Sequence, residues 1–186
     1  MWLYIAIIIV LILLLLWFNP LITYYAPIGK IVAPYQTMLR DLYYDKHHIM
    51  VQSGGWNPPV VPAIATLDKF NYPTISRGLQ IYDLDKDGNV LKKNVYDTCA
   101  VSEQVGLAIA HLKSWTFDQV YRLVWIYDEA ISQRGGNPEL FKQIEAILPD
   151  FNKVTYRDNY VAVFKYGIPV GHAYSHTGGS KVELDI

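Results

Sequence analysis

Residues 116–136 read TFDQVYRLVWIYDEAISQRGG, and the fold turns on whether this stretch is a helix or a strand. Thr116-Phe117-Asp118-Gln119 has the form of a capping box. Val120, Leu123, Val124, Tyr127 and Ile131 recur at helical spacing. Gly135-Gly136 supplies a stop. These signals predict a helix with that apolar stripe facing inward, the middle one of three. The first is expected from near Thr98, with Val101, Val105, Ala108, Ile109 and Leu112 on one side and Gly106 leaving room for a close neighbour. The third follows Asn137-Pro138-Glu139, which offers a cap, a first-turn proline and an acidic residue, and it stops at Pro149.

Outward from the helices the period falls to two. KVTY, YVAVFKY, VGHAYSH and KVELDI, separated by turns at Arg157-Asp158-Asn159, Gly167-Ile168-Pro169 and Thr177-Gly178-Gly179, read as an antiparallel meander from Lys153 onward. On the amino-terminal side, Gln80–Asp97 alternates around Lys86-Asp87-Gly88-Asn89 and reads as a β-hairpin. Hairpin, three helices and meander together predict a small α+β globular domain over 76–186.

Residues 27–75 contain Pro34, Pro58, Pro59, Pro62 and Pro73 with Gly54 and Gly55, and sustain little apolar periodicity. They read as an extended Pro/Tyr-rich arm with one short helix around Pro34–Lys46. Tyr35, Tyr43, Tyr44 and Trp56 on this arm offer rigid contact surfaces, either to a neighbouring protein or to the chain's own domain.

Before the arm, Met1–Phe18 reads MWLYIAIIIVLILLLLWF. As a helix it would be roughly 27 Å long, close to the ~30 Å of a bilayer's hydrocarbon core. Trp2 and Tyr4 stand at one end and Trp17 and Phe18 at the other, the placement of interfacial anchor residues. With no basic n-region and no small-residue cleavage site, residues 1–26 are expected to be an uncleaved transmembrane anchor rather than a signal peptide. The expected localisation is therefore membrane, single-pass, with the lipid bilayer as a partner. Lys30 is the only charged side chain near the exit, and it places the main domain on the cytosolic side.

Composition narrows the chemistry. All 16 Lys and Arg and all 17 Asp and Glu of the 186 residues lie from Lys30 onward, so the domain is nearly neutral and has no electrostatic footprint for nucleic acid. One cysteine excludes an internal disulfide and a multi-cysteine zinc site. Asp83, Asp85, Asp87 and Asn89 have the spacing of the first half of a calcium loop, but Asn94 stands where such a loop needs a bidentate Glu, so the hairpin reading is preferred. His172 and His176 are four apart, yet on a strand that separates them by ~13 Å. Adjacent His47 and His48 point to opposite sides of an extended chain. No phosphate-cradling Gly-rich loop or nucleophile elbow is present, and no cofactor is expected.

One constellation suggests catalysis. Cys99 is expected at a helix start, where the helix dipole favours a thiolate, with His172 and Asp185 on later strands. In the order of DTCAVSEQVGLAIAHL, GHAYSH and VELDI the domain resembles transglutaminase-like and papain-like cysteine hydrolases. That resemblance implies Cys99 as nucleophile, His172 as general base and Asp185 as the orienting acid. This enzyme is the alternative function. The leading expectation is a structural or interaction protein, because anchor, arm and domain have the layout of a tether between a membrane and an overlying protein assembly. MWLYIAIIIVLILLLLWF followed by a Tyr- and Pro-rich arm and a small domain resembles the membrane-anchored minor capsid proteins of large double-stranded DNA viruses. That likeness implies an internal virion membrane, a shell-facing domain and neighbouring structural proteins as partners.

Overall fold

Tyr121–Asp128, inside the stretch 116–136, is an eight-residue strand, β7, in the middle of a sheet. The computed structural model describes residues 47–55 and 63–186. In order its elements are β1 (His48–Gln52), β2 (Gly54–Gly55), β3 (Ile64–Leu67), β4 (Phe70–Pro73), β5 (Gly78–Leu84), β6 (Val90–Tyr96), α1 (Ser102–Lys113), β7, α2 (Pro138–Glu145), β8 (Asn159–Lys165), β9 (Ile168–Ser175) and β10 (Lys181–Asp185). Short 3-10 turns lie at Ser132–Arg134 and Phe151–Lys153.

The strands make two sheets. The larger runs β6-β5-β7-β8-β9, all antiparallel, with β2 adding a short parallel pairing to the end of β7. The smaller runs β10-β1-β3-β4, also antiparallel. Alternate residues of the central strands enter different cores. Leu79, Ile81, Val124, Ile126, Tyr160, Ala162 and Phe164 pack against Val105, Ile109 and Leu112 of α1 and Phe141 and Ile144 of α2. Tyr82, Leu84, Leu123, Trp125, Val161 and Val163 pack against Ile49, Val51, Ala65, Leu67 and Val182 of the smaller sheet. The result is three layers: helices, large sheet, small sheet.

This arrangement explains why the middle helix expected from sequence is not one. A capping box is worth about 1 kcal/mol and helix propensities differ by at most ~0.7 kcal/mol per ordinary residue. Leu123, Val124, Trp125 and Ile126 are consecutive and 0–1% exposed, which needs apolar contact on both faces; as a strand they obtain it, at roughly 1.5–3 kcal/mol per large side chain. A sheet covered on both faces removes the alternation that marks a half-buried strand. The helical spacing of Val120, Leu123, Val124 and Tyr127 is a by-product of a continuous apolar run. Thr116 forms a turn through its carbonyl, which accepts from the Gln119 amide, instead of a helix cap.

Three further expectations change. The described part of the expected arm is not an arm: β1, β3 and β4 fall within 27–75 and form most of the smaller sheet. Ile49 and Val51 point inward and alternate with His48, Met50 and Gln52, while Ala65 and Leu67 do the same in β3. Gly106, expected to admit a close neighbour, faces open space. The α+β architecture with three helices and a transmembrane helix becomes, among the described residues, a mostly β domain with two α-helices. Among those residues no helix is long and apolar enough to cross a membrane; the 12 residues of α1 rise only about 18 Å against ~30 Å of hydrocarbon. The single-pass membrane localisation is corrected accordingly. Residues 1–26 with Trp2, Tyr4, Trp17 and Phe18, the short helix at 34–46 with its tyrosines, and Trp56 all lie outside the described residues.

The hairpin and the outer two helices stand where the sequence places them. β5 and β6 pair antiparallel around Gly88, whose φ of +82° suits a turn. Pro138 occupies the first turn of α2. β9 crosses the interior side of β10 at Gly171, where a Cβ would stand 2.8 Å from Val182 Cγ1, so this position needs glycine for the close approach of the two sheets.

Candidate functional site

Asp83 and Arg122 are each the one charged residue among the buried positions of their strands, β5 and β7, and the register sets them opposite one another. Both side chains point toward the helix layer. Arg122 Nε donates to Asp83 Oδ1 at 2.6 Å and Nη2 to Oδ2 at 3.1 Å. The same guanidinium closes the end of α1 by donating from Nη1 to the Leu112 carbonyl and from Nη2 to the Ser114 carbonyl. Its flat face lies 4.9 Å from the Trp115 ring. His111 of α1 completes the cluster, with Nε2 2.8 Å from Asp83 Oδ2 and Nδ1 2.9 Å from the Tyr96 hydroxyl.

Donor and acceptor rules fix the contact between His111 and Asp83. A carboxylate only accepts, so His111 Nε2 carries a hydrogen toward Asp83. His111 Nδ1 shares a hydrogen bond with the Tyr96 hydroxyl, whose oxygen also accepts from Asn94 Nδ2 at 2.9 Å. Burial pushes the Asp83 carboxyl up, but the hydrogen bonds from His111 and Arg122 and the Arg122 charge outweigh it and hold Asp83 below the usual carboxylate range. Burial pushes the Tyr96 phenol above its ordinary value, partly offset by the Asn94 hydrogen bond. Tyr96 is thus a protonated phenol whose hydroxyl is held between His111 and Asn94.

Tyr96 and His111 form the floor of a cleft of about 410 Å³ between β6 and α1, whose walls are Lys92, Asn94 and Val95 on the strand and Gln104, Leu107 and Ala110 on the helix. β6 is the terminal strand of its sheet, and among the described residues nothing pairs with its outer edge. Val90 and Leu91 are 43% and 48% exposed, and Leu107 across the cleft is 53% exposed. Lys92 pairs in register with Asp83 and so shares its helix-facing side, whereas Lys93, opposite Tyr82, lies on the other. A sheet edge beside a helix, with a concave space between, is the geometry that accepts an extended polypeptide by strand addition.

The residues singled out from sequence lie elsewhere. Cys99 is in the turn before α1, not in its first turn, and its carbonyl accepts from Gln133 Nε2. His172 of β9 faces the helix layer and bonds Asp150 through Nε2 at 3.3 Å. Asp185 belongs to the smaller sheet and accepts from His48 Nδ1 at 2.8 Å. Among the described residues no hydrogen bond or ion pair joins any two of Cys99, His172 and Asp185. Asp83 is spent on Arg122 and His111, while Asp85 ties the hairpin turn by accepting from the Asp87 and Asn89 amides and from Asn89 Nδ2. Neither contact set leaves a cation cage, and among the described residues no three His, Cys, Asp or Glu side chains gather to hold a metal. His176 bonds Asp158 and His47 bonds Asp68.

The cleft itself was missed at the sequence level, although two signals point to it. Consecutive lysines inside the strand VLKKNVY mark a sheet edge. Leu107 lies off the apolar stripe of α1 and therefore faces something other than the core. No protein-family model matches the chain, and no curated protein matches it significantly.

Proposed function

We propose that the domain is a protein-interaction module, a component of a structural assembly, that takes an extended segment of a neighbouring protein onto β6 in the cleft against α1. The observation that carries this reading is the edge of β6, unpaired among the described residues, alongside a cleft whose buried polar floor is already satisfied internally. Both His111 nitrogens are engaged, one by the Tyr96 hydroxyl and one by Asp83, so the polar groups of the floor are satisfied by one another. A cysteine hydrolase draws no support from the contacts of Cys99, His172 and Asp185. The reading keeps the assembly role and the neighbouring structural proteins expected from sequence, and carries no membrane attachment with it.

The test is photo-crosslinking of the full chain in material from its source. A photoreactive side chain at Lys92 is expected to capture a partner through one short segment identified by mass spectrometry. The same group at Tyr156, exposed on a distant turn, is expected to capture none. Leu107→Asp, which charges the helix wall and leaves the core intact, is expected to abolish the Lys92 adduct without changing the melting temperature. Equal capture from both positions, or an adduct indifferent to Leu107→Asp, would overturn the proposal.

A further inference from the structure

The chemistry of the cleft walls names the class of segment it takes. Among the cleft's lining residues Lys92 is the only lysine, arginine or carboxylate. Neighbouring cations are engaged: Lys86 with Asp87, Arg77 with Asp97, and Lys113 with the Gln143 side-chain oxygen Oε1. Lys92 and Lys93 have no ion-pair partner among the described residues. Gln104, half-buried on the facing helix, makes no side-chain hydrogen bond among them either. An ammonium group on the strand and a carboxamide on the helix therefore line the same cleft, both with donors to spare.

We infer that the cleft selects an extended segment carrying a carboxylate side chain, held by Lys92 Nζ while its main chain pairs with β6. This rests on the strand-docking reading above. A second copy of the same chain is the competing occupant, and the lysines argue against it: antiparallel pairing of β6 with its own copy about the strand centre sets Lys93 beside Lys93 or its lysine neighbour, and like charges directly opposite are destabilising. Edge lysines of this kind block self-pairing. Opposite an acidic strand the same charges become attractive, so one feature excludes the copy and admits the partner.

Fluorescein-labelled, end-capped eight-residue peptides alternating Thr with Glu, Gln or Lys provide the probe, with binding to the full chain followed by anisotropy at low salt. The Glu peptide is expected to bind about 5- to 10-fold more tightly than the Gln peptide, and the Lys peptide not at all. Lys92→Gln is expected to erase the Glu-over-Gln preference, whereas Lys93→Gln, on the opposite face, retains most of it. A Glu peptide of which only the C-terminus is left uncapped is expected to gain nothing, since the contact is to a side chain. Glu and Gln peptides that bind alike, both lost in Leu107→Asp, would overturn carboxylate selection and leave strand docking standing. No binding by any peptide would overturn both. Concentration-dependent dimerisation of the full chain in sedimentation, lost in Leu107→Asp, would give the cleft to a second copy and reject the acidic partner.

Discussion

At the scale of single residues, the unusual investment is Arg122. It is 2% exposed as the second residue of β7, just before a run of four buried apolar residues, and each of its three nitrogens donates to Asp83 or to the end of α1. Breaking such a buried pair leaves a charge without a partner, so Arg122→Leu is expected to lower stability by about 3–5 kcal/mol. The double variant Arg122→Leu with Asp83→Leu is expected to recover part of this, because no isolated charge remains. Urea unfolding of the full chain checks both. The Asp83 carboxyl also gives an acid dependence with a defined sign. Its folded pKa lies below the unfolded value of about 3.9, so its contribution is fully present above that value and is lost as pH falls through the folded pKa. Unfolding free energy measured from pH 5 down to 2 is expected to fall less steeply in Asp83→Asn than in the unaltered protein. An unchanged slope would mean that Asp83 titrates alike in both states.

At the scale of elements, what the sequence disclosed depended on how many faces of an element are buried. α1, α2 and the β5–β6 hairpin have a wet side, and their amphipathic spacing or turn residues placed them to within a few positions. β7 has no wet side, and a run such as YRLVWIYD carries no period that separates strand from helix. β1 and β3 failed for a different reason: four- and five-residue strands set among prolines and glycines look like coil until a second sheet edge gives them a partner. The candidate site was less legible than the fold, because Tyr96, His111 and Asp83 meet only through strand register and the docking of α1. Helix α1 also permits a quantitative check. Gly106 lies in its interior, and an added Cβ would meet nothing within 4 Å. Gly106→Ala is therefore expected to stabilise the protein by about 0.5–1 kcal/mol in thermal or urea unfolding, the difference in helix propensity and unfolded-state entropy. A loss of stability would instead show that Gly106 faces a neighbour.

At the scale of the whole domain, the two cores share their central strands, and this decides how it unfolds. Val124, Ile126 and Ala162 belong to the helix-side core, while Leu123, Trp125 and Val161 on the same strands belong to the core under the smaller sheet. Sequence distance adds to the coupling, since β1 and β10, the first and last strands described, pair from His48–Asp185 to Gln52–Lys181. Neither sheet can lose its packing without stripping one face of β7 and β8, so the layers should open together rather than as separate units. Ile144 of α2 is 1% exposed in the helix-side core and does not belong to the other core. Ile144→Ala is expected to cost about 2–5 kcal/mol. Native-state hydrogen exchange should then show the Val51 amide of the smaller sheet losing the same protection free energy as the Val124 amide, although Val51 lies two layers away. Amides of the edge strands β4 and β6 should exchange through smaller openings and change less. If Ile144→Ala lowers protection at Val124 and leaves Val51 unchanged, the helix layer unfolds alone, and the shared strands do not join the two cores into one cooperative unit.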